Sequence, residues 1–173
     1  PALNARKFDF LAASMSITDE RKQAVDFTEA YYTNKLQFIA PKAQAFNSDA
    51  SSLKGKVIGA QRATIAGTWL EDNLDGVVDI KLYDTQENAY LDLTSGRLDG
   101  VLADKFVNWE WLKSEAGQGF EFKGEPVFDN DKVGIAVRKN DPLRAKLNLA
   151  LAAIIADGTY ARINQKYFPF SIY

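Results

Sequence analysis

From Lys56 onward, short apolar runs alternate with helix-forming segments, and that rhythm leaves few architectures open. The strand-like "KVIGA" (Lys56–Ala60) is followed by a helix over Thr64–Leu74, a strand over Val77–Tyr83, a helix over Gln86–Ser95, a strand over Leu98–Ala103 and a helix over Lys105–Glu115. Strand–helix–strand units of this kind build a mainly parallel sheet with helices on its faces. Asp84 reads as the cap of the helix from Gln86, and Gly96 as its stop. The polar "NSDASSLKGK" (Asn47–Lys56) is a surface loop at the entrance to this unit.

The flanks are patterned differently. Leu11–Ala13 ends an apolar strand that begins near Phe8, Thr18 is placed to cap a short helix, and Leu36–Lys42 is an apolar segment closed by Pro41. Further on, Lys132–Lys139 predicts a strand and Asn140-Asp141-Pro142 a helix start. The helix "LRAKLNLALAAIIA" reads as amphipathic to fully buried and ends at Asp157-Gly158, and a last helix runs from Thr159 to Tyr167. "RKFDFLAAS" (Arg6–Ser14) and "GRLDGVLAD" (Gly96–Asp104) echo one another. Either two lobes share a design, or this is the general look of a helix-to-strand joint in an α/β protein.

Composition removes whole classes of function. Cysteine and histidine are both absent from the 173 residues, which excludes thiol nucleophiles, Cys/His zinc sites, Ser-His-Asp triads and imidazole bases. With 21 basic and 23 acidic residues interspersed and a formal charge of −2, the chain has no basic stripe to hold a phosphate backbone, so nucleic acid is not expected as a partner. No apolar run approaches the roughly 20 residues of a membrane-spanning helix.

In open parallel sheets, ligands bind beyond the carboxyl ends of the strands. Three such ends are polar: Ser14-Met15-Ser16 with Thr18 and Arg21, Gln61-Arg62-Ala63-Thr64, and Asp104. With Thr18 as cap, Arg21 falls in the first helical turn, where the helix dipole disfavours a cation. It is either a surface arginine neutralised by Asp19 and Glu20, or a planar fork aimed at a carboxylate. Thr64 is a helix cap or a ligand hydroxyl. Asp104 is a cap for the following helix or an acceptor for an ammonium. Together an arginine, hydroxyls and an aspartate make a receptor for the zwitterionic end of an amino acid.

The runs "FDFLAASMSITDERKQAVDFTEAYY" (Phe8–Tyr32), "LKGKVIGAQRAT" (Leu53–Thr64), "LTSGRLDGVLAD" (Leu93–Asp104), "GIAVRK" (Gly134–Lys139) and "DGTYARINQKYF" (Asp157–Phe168) resemble the extracytoplasmic amino-acid-binding proteins of ABC importers. The similarity is greatest to arginine/ornithine and lysine/arginine/ornithine binders, and "YYTNKLQFIAPK" (Tyr31–Lys42) also resembles the arginine/ornithine-binding members.

The resemblance implies an α/β fold of the type II periplasmic-binding-protein kind, two lobes with mainly parallel sheets joined by hinge strands. Residues 1–36 and 131–173 would be lobe one, and residues 37–130 an inserted, complete lobe two. Lobe one would lack its opening β-α-β, which in relatives supplies the side-chain pocket, and the face so uncovered makes self-association an expected property. By the same resemblance Arg21 grips the ligand carboxylate, Ser14 and Ser16 bond the amino-acid head, Thr64 meets the carboxylate and Asp104 takes the ammonium. Ala13, a serine in some relatives, and Arg62-Ala63, often small or glycine, depart from the pattern. The implied function is that of a periplasmic receptor that hands a basic L-amino acid such as arginine, ornithine or lysine to an ABC permease in the inner membrane, with no catalytic residue, metal or cofactor. Two other readings share the scaffold: a catalytic relative of the cyclohexadienyl dehydratase kind, with Asp104 as its acid, and the ligand-sensing domain of a signalling protein.

Overall fold

The computed structural model describes residues 2–173. In chain order its elements are β1 (Phe10–Leu11), α1 (Asp19–Ala24), β2 (Asp26–Phe27), β3 (Tyr32–Pro41), α2 (Ala50–Leu53), β4 (Val57–Gln61), α3 (Ile65–Leu74), β5 (Asp79–Tyr83), α4 (Gln86–Thr94), β6 (Gly100–Asp104), α5 (Lys105–Leu112), β7 (Phe120–Val133), β8 (Ala136–Val137), α6 (Leu143–Ala156) and α7 (Thr159–Tyr167). The chain divides into two compact units: unit one is Pro1–Asn34 with Asn130–Tyr173, and unit two is Lys35–Asp129.

Unit two is organised by a sheet of order β5-β4-β6-β3-β7. β4 runs parallel to β5 and β6, with Ile58 opposite both Ile80 and Gly100, whereas β3 is antiparallel to β6 and sets Leu36 against Asp104. Because side chains alternate along a strand, Leu36, Phe38 and Ala40 go to one face and Ile39 to the other. The first set packs with Leu53 of α2 and with Leu70 and Leu74 of α3; Ile39 packs with Val101 and with Ala89, Tyr90 and Leu93 of α4. Each fully buried side chain of this size contributes about 1.5–3 kcal/mol relative to exposure. Two-sided burial of this kind is what the strand–helix rhythm demands.

Helix ends follow local chemistry, with one correction. Thr85, not Asp84, caps α4, its hydroxyl accepting from the Asn88 N–H at 3.2 Å. Asp84 instead pairs with Arg62 at 2.9 Å. Both residue types cap well; the chain's exit from β5 puts the extended backbone a cap requires at Thr85. Gly96 follows the last turn in the left-handed region at φ 75°, as a stop signal should.

Unit one carries an antiparallel sheet of order β1-β8-β2 over a small core of Leu3, Val25, Phe27 and Ala136. Three expectations change here. The strand foreseen from Phe8 to Ala13 pairs only at Phe10–Leu11, and Phe8 and Phe10 stay exposed, because β8 is its single neighbour. Arg138 ties the segment down by donating to the Phe8 carbonyl at 2.9 Å. The strand foreseen over Lys132–Lys139 is split at Gly134, which turns to donate to the Met15 carbonyl. α6 forms as foreseen but buries no residue; it packs on α7, and Leu149 is 74% exposed. An apolar sequence states a demand for burial and leaves open whether a partner meets it.

Candidate functional site

In unit one the structure brings Ser16, Thr18 and Arg21 together. Thr18 is the cap of α1, accepting from the Arg21 N–H at 3.1 Å. That places Arg21 on the first turn, from which its guanidinium reaches back and donates to the Ser16 carbonyl at 3.0 Å. The segment around Ser16 is stitched to β7 and the residue after it: Ile17 donates to the Lys132 carbonyl at 2.7 Å, Gly134 to that of Met15 at 3.2 Å, and Ser16 bridges Val133. Ser14 is exposed and its backbone is left-handed at φ 52°. Its N–H bonds the Tyr31 phenol, which burial pushes up and this bond pulls down.

In unit two, Thr64 lies beyond the carboxyl end of β4, and Asp104 is the last residue of the adjacent parallel strand β6. The Thr64 hydroxyl accepts from Gly67 N–H at 3.2 Å, which caps α3, and donates to the Gln61 carbonyl at 2.7 Å, which occupies its proton. Asp104 occupies the cap position of α5 yet makes no side-chain cap bond. Its charge adds to the upward push on the Tyr90 phenol, behind the dominant effect of burial.

Ala63, in the loop before Thr64, sits at φ 56°. A side chain there costs about 1–2 kcal/mol relative to glycine. Ala63→Gly, after subtraction of glycine's extra unfolded-state entropy, is expected to stabilise unit two by about 0.5–1 kcal/mol in urea unfolding. An unchanged or lowered midpoint removes the strain.

Two residues of this neighbourhood escape a reading by motif. Asp131 is 2% exposed, and its Oδ2 accepts from both the Ser16 hydroxyl and the Asn34 amide at 3.0 Å. Within "FDNDK" it resembles a solvated acidic turn. The available signal is the period of two that puts it on the same face as buried Val133.

Among the described residues no cluster of acidic side chains could hold a metal ion, and no helix is long and apolar enough to cross a membrane. The chain belongs to the bacterial extracellular solute-binding proteins, family 3, whose profile matches residues 1–170. Its fold is the type II periplasmic-binding-protein fold: an ancestral arginine-binding protein solved with arginine bound is similar to it with a TM-score of 0.88 and 34% identity, over 97% of this chain and 75% of that one. The L-arginine-binding protein of Pseudomonas aeruginosa is 42% identical over 181 residues, which cover 100% of this chain and 70% of the relative. The lysine/arginine/ornithine-binding periplasmic protein of Escherichia coli K12 is 38% identical, over 100% of this chain and 69% of its own length.

Proposed function

We propose that the chain is an extracytoplasmic receptor for a basic L-amino acid, arginine first, which it delivers to the permease of an ABC importer. The observation that carries the reading is 42% identity to an arginine-binding protein along the whole of this chain. The head-group residues add chemical support. In this reading the units serve as the two lobes, and the amino acid takes its ligands from both: Arg21 forks onto the carboxylate, Ser14 and Ser16 bond the head group, Thr64 meets the carboxylate through its backbone, and Asp104 receives the ammonium. A protein of this kind works by differential affinity for its ligand and needs no covalent step. The enzymatic alternative would need Asp104 as a general acid, a role incompatible with holding an ammonium as a carboxylate.

Calorimetric titration of the chain with L-arginine, L-ornithine, L-lysine, L-histidine and L-glutamine tests the reading. Arginine is expected to bind most tightly, with the other basic amino acids following. Absence of heat with every one of them sinks it.

A further inference from the structure

Asp131 is a buried carboxylate with an unusual set of partners. Both of its donors are neutral, the Ser16 hydroxyl and the Asn34 amide, and both converge on one oxygen, Oδ2. Burial of a carboxylate among neutral groups is costly unless something else offsets it. A charged side chain at this position therefore asks for a reason beyond packing. Its surroundings are rigid: Asn34 is 0% exposed on β3, Asp131 lies in β7, and the neighbouring residues Lys132 and Gly134 hold the Ser16 segment through backbone bonds.

The reason lies in the polarity of one hydroxyl. A carboxylate oxygen only accepts, and the Asn34 amide donating to the same Oδ2 confirms that role. The single proton of the Ser16 hydroxyl must then point at Asp131. What the hydroxyl has left is lone pairs, so toward a ligand it can accept and cannot donate. It suits the N–H of an ammonium and repels a carboxylate. Arg21 fixes the same residue from the other side by holding its carbonyl. We propose that Asp131 is a positioning residue that sets the Ser16 hydroxyl as an obligate acceptor, and so makes the receptor discriminate in favour of ligands carrying an α-ammonium.

This inference rests on the amino-acid-receptor reading and adds a residue to it. A ligand ammonium at Ser16 also places a positive charge one hydrogen bond away from the buried carboxylate, which offsets the cost of its burial. Ligand binding and Asp131 thus favour each other.

The test compares L-arginine with its des-amino analogue, which keeps the carboxylate and the guanidinium. Each is titrated into the wild-type chain, Asp131→Ala, Asp131→Asn and Ser16→Ala. In Asp131→Ala the hydroxyl proton is released, and the preference for arginine over the analogue is expected to fall roughly tenfold or more. Asp131→Asn can keep its carbonyl oxygen toward Ser16 and Asn34, so it should retain most of the preference. Ser16→Ala should lose it, and Ser16→Ala combined with Asp131→Ala should lose no more than either alone. Equal losses for both ligands in Asp131→Ala, or an unchanged preference, overturn the proposal. Where Asp131→Ala does not fold, Asp131→Ser, whose shorter side chain withdraws the acceptor, is read by the same ratio and the same outcomes decide. A wild-type chain that binds no amino acid overturns the receptor reading itself and this inference with it.

Discussion

Arg21→Ala is expected to lose at least about a hundredfold in affinity for L-arginine, roughly 3 kcal/mol, because the two charge-assisted bonds proposed to the ligand carboxylate disappear together. The loss has a second source within unit one. The same guanidinium holds the Ser16 carbonyl at 3.0 Å, so its removal also loosens the residue proposed to receive the ammonium. Stability should move little and in the same direction. α1 has six residues, so Arg21 belongs to its last turn as well as its first and the helix dipole leaves little net effect, while loss of the bond to the Ser16 carbonyl lowers stability slightly. Calorimetry and thermal unfolding together are therefore expected to show much weaker binding with an equal or slightly lower midpoint. Arg21→Lys should bind poorly too, since an ammonium point charge cannot hold a carboxylate and a carbonyl in one plane. Wild-type affinity in Arg21→Ala would return the residue to the role of a surface arginine.

Asp104→Asn is expected to weaken L-arginine by about 10- to 100-fold, or 1.5–3 kcal/mol, with the fold intact. The substitution keeps shape and removes charge. Two features of unit two make it a clean probe. The carboxylate makes no cap bond to α5, so Asp104→Asn removes no cap bond and costs the helix only the charge–dipole attraction, about 0.3–1 kcal/mol. It also lies half-buried where β6 ends, next to a phenol whose titration it pushes upward. Tyr90 should accordingly titrate slightly lower in Asp104→Asn while staying well above an ordinary tyrosine, since burial is the larger cause. An early-melting variant with unchanged affinity would make Asp104 a structural residue.

The parts of this protein that could be read in advance are those governed by neighbours in sequence. The alternation after Lys56 predicts β4, α3, β5, α4, β6 and α5 to within a few residues, whereas the long strand β7 and the short helix α2 have no counterpart in it; α7 runs from Thr159 to Tyr167 as its pattern requires. Thr18 and Thr64 cap because a hydroxyl before a helical turn meets the N–H groups of its own first turn. What could not be read depends on residues distant in the chain. Asp131 is buried by Ser16, 115 residues earlier, and by Asn34, 97 residues earlier. The shortening of β1 reflects how many strands lie beside it, which no local pattern encodes. The choice between Asp84 and Thr85 turned on where the chain leaves β5 with an extended backbone, which the two residue types do not encode.

α6 has a consequence for how the molecule opens. It is a helix of 14 residues that buries none of them, and isolated helices shorter than about 12–15 residues are marginal in water. Its hydrogen bonds are then protected by their own cooperativity, by partial contact with α7 and by the Asn148 side chain, which accepts from the Glu29 N–H at 2.9 Å. The amides of Leu36, Phe38 and Ile39, in strand β3 under side chains with no exposure, exchange with solvent only when unit two comes apart. Those of α6 can do so by fraying, at a small fraction of that free energy. The chain thus has no single stability: among the low rungs of its ladder of local openings is the helix richest in leucine and alanine.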